Sequence, residues 1–270
     1  MRYRIIATDM DDTLLNSNHE ISNENIQSII EVQKKGVKFV LASGRPTFAM
    51  HYFSEELNMK ELGGYILGYN GGEIIEVSTG NVIFERSLTK NDIEIIYNEA
   101  KNNNLSFLTY SGDTIYGSEL NQYTNEEVTL TGMNWKQINN FAELPINKSI
   151  KCMILGEPQK LIDTQKILHQ KYRDKFVINI SKPIFLEFTQ KDINKGESLK
   201  RLCNMLGIST EEMVCVGDSF NDMSMLEVAG LPVAVENARE EIKAISKFIT
   251  TSNDNNALKT LILKYFIDEK

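Results

Sequence analysis

Residues 4–13 read RIIATDMDDT, an apolar run that ends abruptly in three carboxylates within four positions. A short apolar run favours a buried strand, which places Asp9, Asp11 and Asp12 at its carboxyl end. Carboxylates this close repel one another and resist burial unless a cation neutralises them. Oxygen ligands without nitrogen or sulfur favour a hard ion such as Mg²⁺. The stretch therefore predicts a metal-dependent site directly after a core strand.

Short apolar runs alternate with amphipathic helical segments at both ends of the chain. In the first part, the runs at 4–8, 37–42 and 65–69 are separated by a helix between Ser22 and Gly36 and by another that starts at Pro46. Strands separated by helices imply a parallel sheet with crossover helices. The alternation returns later, with strands at 213–216, 231–235 and 248–250 and helices at 195–206, 222–228, 238–246 and 257–266. We therefore predict an α/β fold with a doubly wound, Rossmann-like parallel-sheet core built from both ends of the chain.

The middle of the chain follows a different pattern. A hairpin is predicted around residues 79–81, and residues 89–92 form a capping box that opens a helix. Short strands, turns and helices are mixed in the segment that follows. This mixture predicts an inserted α+β domain over residues 85–185, so that the core consists of residues 1–84 and 186–270.

Composition and charge limit the classes of partner. The chain has 270 residues, of which 41% are hydrophobic and 24% charged, as in an ordinary globular protein of one or two domains. The net charge of −8 and the scattered basic residues argue against a nucleic-acid partner. No apolar run approaches the roughly 20 residues of a membrane span, and the apolar stretch near residue 4 is far too short for the hydrophobic region of a signal sequence. We expect a cytoplasmic protein, either a monomer or a homodimer, that does not contact membranes.

The three cysteines are far apart in the sequence and each has apolar neighbours. Their odd number and spacing suggest neither a disulfide framework nor a thiolate metal cluster. We expect Cys152, Cys203 and Cys215 to be buried core residues.

Two predicted strands end in acidic residues. Asp9 and Asp11 follow the first strand, and the strand at 213–216 leads into a segment with Asp218 and Asp222. Ligands bind outside the carboxyl ends of the strands in an open parallel sheet. Both acidic clusters should therefore lie along one edge of the core sheet.

An anion site is predicted at the same edge. The strand at 37–42 ends in Ser43 and Gly44, whose hydroxyl and backbone N–H groups precede a helix. Either Lys191 or Lys195 can supply the positive charge that offsets a phosphate. Carboxylates for a metal, amides for an anion and a lysine together make a phosphoryl-transfer site.

The order and spacing of these segments resemble the four motifs of the haloacid dehalogenase superfamily. The resemblance covers nearly the whole chain, and the insertion between the second and third motifs resembles the large cap of the Cof-type phosphatase branch. The matching residues are Asp9-x-Asp11-x-Thr13, Ser43-Gly44-Arg45, Lys195-Gly196 and Gly217-Asp218-Ser219-x-Asn221-Asp222.

The resemblance implies a role for each acidic residue. Asp9 would be the nucleophile that becomes an aspartyl phosphate, and Asp11 the general acid for the leaving oxygen and then the base for water. Asp9, Asp218 and the backbone carbonyl of Asp11 would hold Mg²⁺, with Asp222 and Asn221 as ligands or supports.

The same resemblance implies the residues that bind the transferring phosphoryl group. These would be Ser43, Gly44, Lys195 and Asn221.

Together these features predict a Mg²⁺-dependent phosphatase for small phosphorylated metabolites, with sugar phosphates as the expected class. A cap would supply the substrate specificity. Two alternatives remain open at this point: a phosphomutase with the same aspartyl-phosphate chemistry, and a non-catalytic protein that binds a metal or a metabolite.

Overall fold

A computed structural model describes residues 2–267 and divides the chain into two compact units. One unit is formed by Met1–Phe84 together with Asn194–Lys270, and the other by Glu85–Ile193. The first unit is therefore built from both ends of the chain, and the second is inserted between them.

The strands are β1 (Ile5–Thr8), β2 (Lys38–Ala42), β3 (Tyr65–Gly68), β4 (Glu73–Glu76), β5 (Asn81–Glu85), β6 (Leu88–Thr89), β7 (Ser106–Ser111), β8 (Thr114–Gly117), β9 (Asn134–Gln137), β10 (Lys148–Ser149), β11 (Lys151–Leu155), β12 (Phe176–Lys182), β13 (Phe185–Gln190), β14 (Met213–Gly217), β15 (Leu231–Ala234) and β16 (Phe248–Ile249). The α-helices are α1 (Asn23–Lys34), α2 (His51–Glu56), α3 (Met59–Leu62), α4 (Lys90–Asn102), α5 (Gln122–Thr131), α6 (Pro158–Tyr172), α7 (Lys195–Leu206), α8 (Met223–Val228), α9 (Glu240–Ile245) and α10 (Ala257–Ile262).

The first unit contains one sheet with the strand order β16-β15-β14-β1-β2-β3-β4-β5. Neighbours from β16 to β3 are parallel, and β4 is antiparallel to β3. The chain moves outward from β1 to β2 and β3 and later returns on the other side of β1 as β14, so the strand order reverses at β1. Ligands bind at the carboxyl ends of the strands next to such a reversal. The predicted doubly wound α/β core is confirmed.

Burial explains why these strands are continuous apolar runs in the sequence. All four residues of β1 are fully buried, because helices cover both faces of a parallel sheet. The helix α1 begins as its sequence predicts: the Ser22 hydroxyl oxygen accepts a hydrogen bond from the Asn25 backbone N–H at 3.2 Å. It stops before Gly36, whose φ of +90° ends the helix.

The segment after β2 differs from the prediction of a helix that starts at Pro46. Pro46 is extended, with φ −55° and ψ 142°, and a 3₁₀ turn over Thr47–Met50 precedes the short helix α2. The Thr47 hydroxyl donates a hydrogen bond to the Glu73 carboxylate, and its methyl group lies against Gly68. These contacts with β4 and β3 favour the tighter turn over a regular first helical turn.

The second unit is an α+β structure. Its sheet has the order β12-β13-β11-β7-β8-β9, antiparallel except between β8 and β9, and β6 pairs with β10 in a separate small ladder. The capping box at residues 89–92 is present at the start of α4.

The end predicted for the inserted segment, residue 185, is wrong. β13 is hydrogen-bonded to β12 on one side and to β11 on the other, so it is an interior strand of the second sheet. The inserted unit therefore extends to Ile193, and the first unit resumes at Asn194.

The three cysteines are buried, as expected, and none of them forms a disulfide.

Over residues 2–267, no helix is both long and apolar enough to cross a membrane.

Candidate active site

The site lies where β1 and β14 end side by side in the first unit. Thr8 pairs with Val216, and the Asp9 backbone N–H donates to the Val216 carbonyl at 2.9 Å. This register brings the segments after the two strands together. Carboxylate oxygens of Asp9, Asp218 and Asp222 lie within 4.8 Å of one another.

Lys195 lies between two of these carboxylates. Its Nζ donates to Asp9 Oδ1 at 2.5 Å and to Asp222 Oδ1 at 2.7 Å, and the lysine is fully buried. The residue stands at the start of α7, which Asn194 caps by accepting from the Glu197 backbone N–H.

Gly196 allows this placement of Lys195. A Cβ at Gly196 would lie 2.1 Å from the Ser224 carbonyl oxygen, so only glycine lets α7 approach the first turn of α8 this closely. In the Lys195-Gly196 pair, the lysine supplies the positive charge, and the glycine allows the close helix contact that buries this charge.

Burial and like charges shift the pKa values of these groups. Burial, followed by the Asp222 carboxylate, raises the pKa of Asp9 well above its ordinary value. The same two causes raise the pKa of Asp218 to about 6. Burial would lower the pKa of Lys195, but the carboxylates of Asp222 and Asp9 outweigh it and keep the pKa raised. Lys195 is therefore a permanent ammonium group at this site.

Asp222 uses both carboxylate oxygens within the protein. Oδ1 accepts from Lys195, and Oδ2 accepts from the backbone N–H groups of Asp218 at 2.9 Å and Ser219 at 3.1 Å. Asp222 is fully buried. It therefore fixes the loop after β14 and orients Lys195, which are supporting roles for the site.

The donor set fits a divalent cation. The cluster contains three carboxylates, of which Asp9 and Asp222 share one ammonium group, so its negative charges outnumber its positive charge. Asp218 is only partly buried, and its Oδ1 accepts from the Thr13 hydroxyl at 3.0 Å, which orients it toward the cluster. Clustered carboxylate oxygens are the ligands that Mg²⁺ prefers.

In the turn after β1, the Asp11 side chain pairs with Arg45. Within the turn Met10–Leu14 the backbone of Asp11 is extended, and Asp12 has a left-handed φ of 57°. Arg45 Nη2 lies 2.5 Å from Asp11 Oδ1, and Arg45 Nε lies 2.9 Å from Oδ2. Burial would raise the pKa of Asp11, but hydrogen bonds and charge from Arg45 lower it overall. Of the four predicted metal residues, the cluster brings together Asp9, Asp218 and Asp222, whereas the Asp11 side chain pairs with Arg45.

The predicted anion-binding residues lie in neighbouring loops of the same unit. The Ser43 hydroxyl oxygen accepts from the Arg45 backbone N–H at 3.1 Å, and Ser43 is nearly fully buried. A Cβ at Gly44 would lie 3.0 Å from Asn70 Nδ2. Asn221 Nδ2 donates to Asn70 Oδ1 at 3.4 Å, which joins the loops after β3 and β14.

Of the two candidate lysines, Lys195 lies at the acidic cluster of the first unit. Lys191 belongs to the inserted unit, where its Nζ lies 3.7 Å from Asp174 Oδ1.

Sequence reasoning assigned no role to Arg45, Thr13 and Asn70, although the first two stand inside the quoted motifs. All three contact predicted site residues. For Asn70 a signal was available, because Asn70-Gly71-Gly72 follows a core strand at the same carboxyl edge as the other motifs.

The chain is similar to known proteins over nearly its whole length. Residues 6–262 match a family model described as haloacid dehalogenase-like hydrolase. The crystal structure of a haloacid dehalogenase-like hydrolase from Bacteroides thetaiotaomicron is 37% identical, with a TM-score of 0.94, over 98% of this chain and 100% of that chain.

Two relatives from Bacillus subtilis are named as phosphatases. The 5-amino-6-(5-phospho-D-ribitylamino)uracil phosphatase YwtE is 30% identical over 98% of this chain and 97% of its own length. The phosphatase YwpJ is 28% identical over 94% of this chain and 97% of its own length.

Proposed function

Because this chain belongs to the haloacid dehalogenase-like hydrolases and is a phosphatase of that family, we propose that it hydrolyses small phosphorylated metabolites through an aspartyl phosphate on Asp9. Sugar phosphates are the preferred substrate class. The relative YwtE, whose name specifies a phosphorylated ribityl chain, supports a polyhydroxylated leaving group.

In the first half-reaction, a carboxylate oxygen of Asp9 attacks phosphorus. A bond forms between this oxygen and phosphorus while the ester P–O bond breaks. Asp11, which pairs with Arg45 as a carboxylate, takes up a proton as the substrate binds and donates that proton to the departing alkoxide. Lys195 holds Asp9 Oδ1 at 2.5 Å, so the nucleophile is fixed before substrate binds.

In the second half-reaction, water attacks the phosphorus of the aspartyl phosphate. Asp11, now a carboxylate, accepts the proton of the water, and the bond between phosphorus and Asp9 breaks to release inorganic phosphate. Each cycle therefore returns both aspartates to their starting states and consumes one water.

Asp9 and Asp218 are the residues that would hold Mg²⁺, with Asp222 in a supporting role. When bound, the ion would offset the negative charge shared by the carboxylates and the phosphoryl group. Lys195 contributes a second positive charge that burial keeps free of water.

One observation carries the proposal. Asp9 is a 5% exposed carboxylate at the end of a central strand, hydrogen-bonded to a fully buried lysine and accompanied by two further carboxylates. Burying a carboxylate is energetically unfavourable, and buried acids of this kind are concentrated at functional sites. The burial of Asp9 therefore supports a catalytic role.

We also propose that the inserted unit, Glu85–Ile193, is the cap domain that selects the substrate. It has its own sheet and its own apolar core, so it can vary without disturbing the catalytic residues, all of which belong to the first unit.

The test is phosphate release from a panel of phosphorylated metabolites, with Mg²⁺ and with EDTA. Asp9→Asn should abolish release, whereas Asp12→Asn, at an exposed neighbouring acid, should keep it within about tenfold. Mass spectrometry should exclude deamidation of the introduced asparagine back to aspartate. Substantial turnover by intact Asp9→Asn would refute the nucleophile, and interconversion of sugar phosphate isomers with little phosphate release would identify a mutase.

A further inference from the structure

The turn after β3 has an unusual backbone. Tyr69, Asn70 and Gly71 have φ values of +53°, +55° and +103° in succession. A left-handed conformation is uncommon for residues other than glycine and unfavourable for an aromatic residue such as Tyr69. Strain of this kind persists only where the surrounding structure holds it, and it is concentrated at functional sites.

Hydrogen bonds hold this turn against the loop that carries Ser43. The Asn70 backbone N–H donates to the Ser43 carbonyl at 2.9 Å, and the Tyr69 backbone N–H donates to the Arg45 carbonyl at 2.9 Å. The two loops are therefore fixed to each other on both sides of Gly44.

The turn is also held from the side of α7, the helix that begins with Lys195. The Ser198 hydroxyl donates to the Gly71 carbonyl at 2.7 Å. A Cβ at Gly71 would lie 2.6 Å from the Asn194 carbonyl oxygen, so the backbone approaches the start of this helix closely. The strained turn thus lies between the predicted anion loop and the buried lysine.

These contacts place the Asn70 side chain among the predicted phosphate-binding residues. Its amide nitrogen and oxygen would lie 3.0 and 3.3 Å from a Cβ at Gly44, and Oδ1 accepts from Asn221 Nδ2 at 3.4 Å. Within residues 2–267, Asn70 Nδ2 donates no hydrogen bond to the protein. The side chain is only half-buried, so its N–H groups can reach a ligand.

We propose that Asn70 is a further substrate-binding residue, whose side-chain N–H groups donate to an oxygen of the phosphoryl group beside Ser43. This inference rests on the proposed function, since it requires a phosphoryl group at this edge of the sheet. The left-handed backbone directs the carboxamide into the space that Gly44 leaves open, and Asn221 fixes its orientation. A preorganised amide donor of this kind stabilises an oxyanion without rearrangement.

Two substitutions separate substrate binding from backbone conformation. Asn70→Gly removes the side chain, and glycine adopts a positive φ without strain. Asn70→Asp keeps the shape and tolerates the left-handed conformation, but it replaces the donor by an acceptor and adds a negative charge. The matched control is Asn58→Gly, because Asn58 is an exposed asparagine with a φ of +51° outside the site.

Inorganic phosphate is the probe, used both as a competitive inhibitor and as a ligand in calorimetry of the metal-loaded protein. We expect Asn70→Gly and Asn70→Asp to melt within a few degrees of the wild type and to lose at least tenfold in phosphate affinity and in kcat/KM. Asn58→Gly should keep wild-type affinity and activity.

Wild-type phosphate affinity in either Asn70 variant would overturn the proposal. A large decrease in the melting temperature of Asn70→Gly would also overturn it, because the role of Asn70 would then be structural. Failure of the proposed function is distinguishable. In that case the wild type releases no phosphate from any substrate, while calorimetry still reports whether Asn70 contributes to phosphate binding.

Discussion

Arg45 and Asp11 form an ion pair with two hydrogen bonds, of 2.5 Å between Nη2 and Oδ1 and 2.9 Å between Nε and Oδ2. The guanidinium carbon also lies 5.7 Å from the centre of the Phe53 ring. This two-point contact fixes the plane of the Asp11 carboxylate, which a lysine at position 45 could not do. Arg45, from the loop after β2, thus holds Asp11 as a carboxylate, and Asp11 must exchange this contact for a proton before it can act as the general acid.

The role of Asp11 predicts a dependence on the leaving group. Asp11→Asn should lower kcat/KM by about 10²–10⁴ for a sugar phosphate, because the departing alkoxide needs a proton. For p-nitrophenyl phosphate, whose leaving group is stable as an anion, the first half-reaction should be nearly unaffected, and a burst of nitrophenol should precede slow turnover. Rapid-quench kinetics measures both. An equal loss of the first step for both substrates would contradict the assignment.

The buried pairs of Lys195 predict a large effect on stability. Lys195→Met removes the only ammonium group between Asp9 and Asp222 in the described site, leaving both carboxylates buried without it. Breaking a buried ion pair in this way costs about 3–5 kcal/mol. We expect urea denaturation without Mg²⁺ to show a loss of this size in the free energy of unfolding.

Lys191→Met is the control for this substitution. Lys191 forms an exposed pair with Asp174 at 3.7 Å, and such pairs contribute about 0–1 kcal/mol. If the two variants were equally stable, the buried cluster would contribute nothing through Lys195.

The carboxylate cluster predicts that Mg²⁺ stabilises the protein. An ion that binds only the folded state raises the melting temperature in proportion to the logarithm of its concentration once the site is saturated. Asp218→Asn removes one of the charged ligands, so the rise should be largely lost, while Asp12→Asn should retain it. Differential scanning calorimetry at several Mg²⁺ concentrations measures the melting temperature. If Mg²⁺ raised the melting temperature of Asp218→Asn as much as that of the wild type, Asp218 would be excluded as a ligand.

The swap of the inserted unit tests its role in specificity. Replacing Glu85–Ile193 by the corresponding unit of a relative with a different substrate should change the order of preferred substrates and leave Mg²⁺ dependence intact, because the carboxylate cluster lies in the first unit. The readout is kcat/KM over the same metabolite panel. An unchanged order would assign specificity to the first unit.

The core was predictable because its sequence and its burial follow one rule. Fully buried parallel strands are continuous apolar runs, so β1 and β14 could be recognised, and the carboxyl ends of parallel strands meet at one edge. Asp9 and Asp218 could therefore be brought together by topology alone, without any knowledge of distances.

Other features depend on tertiary contacts that no local pattern specifies. The interior position of β13 follows from its pairing with β11 and β12, so the boundary at residue 185 was wrong. The contact between Asp11 and Arg45 joins residues 34 positions apart, and the left-handed backbone at Asn70 is held by the neighbouring loop. Local propensity does not encode either relationship.

A buried acid in the second unit predicts a pH dependence of stability. Burial, only partly offset by Lys151 and by the hydrogen bond from the Tyr110 hydroxyl at 2.6 Å, raises the pKa of Glu127 above its ordinary value. The folded protein therefore holds this proton to higher pH than the unfolded chain does. Where the folded state binds more protons, stability falls as pH rises, and this loss begins near the unfolded pKa of about 4.3.

Glu127→Gln should abolish this contribution, because glutamine is neutral at every pH and retains an oxygen that accepts from Tyr110. As the pH rises above the unfolded pKa of about 4.3, the wild type should therefore lose stability relative to Glu127→Gln. Urea denaturation at several pH values measures it. A difference in unfolding free energy that does not change with pH would show that the pKa of Glu127 is not raised in the folded protein.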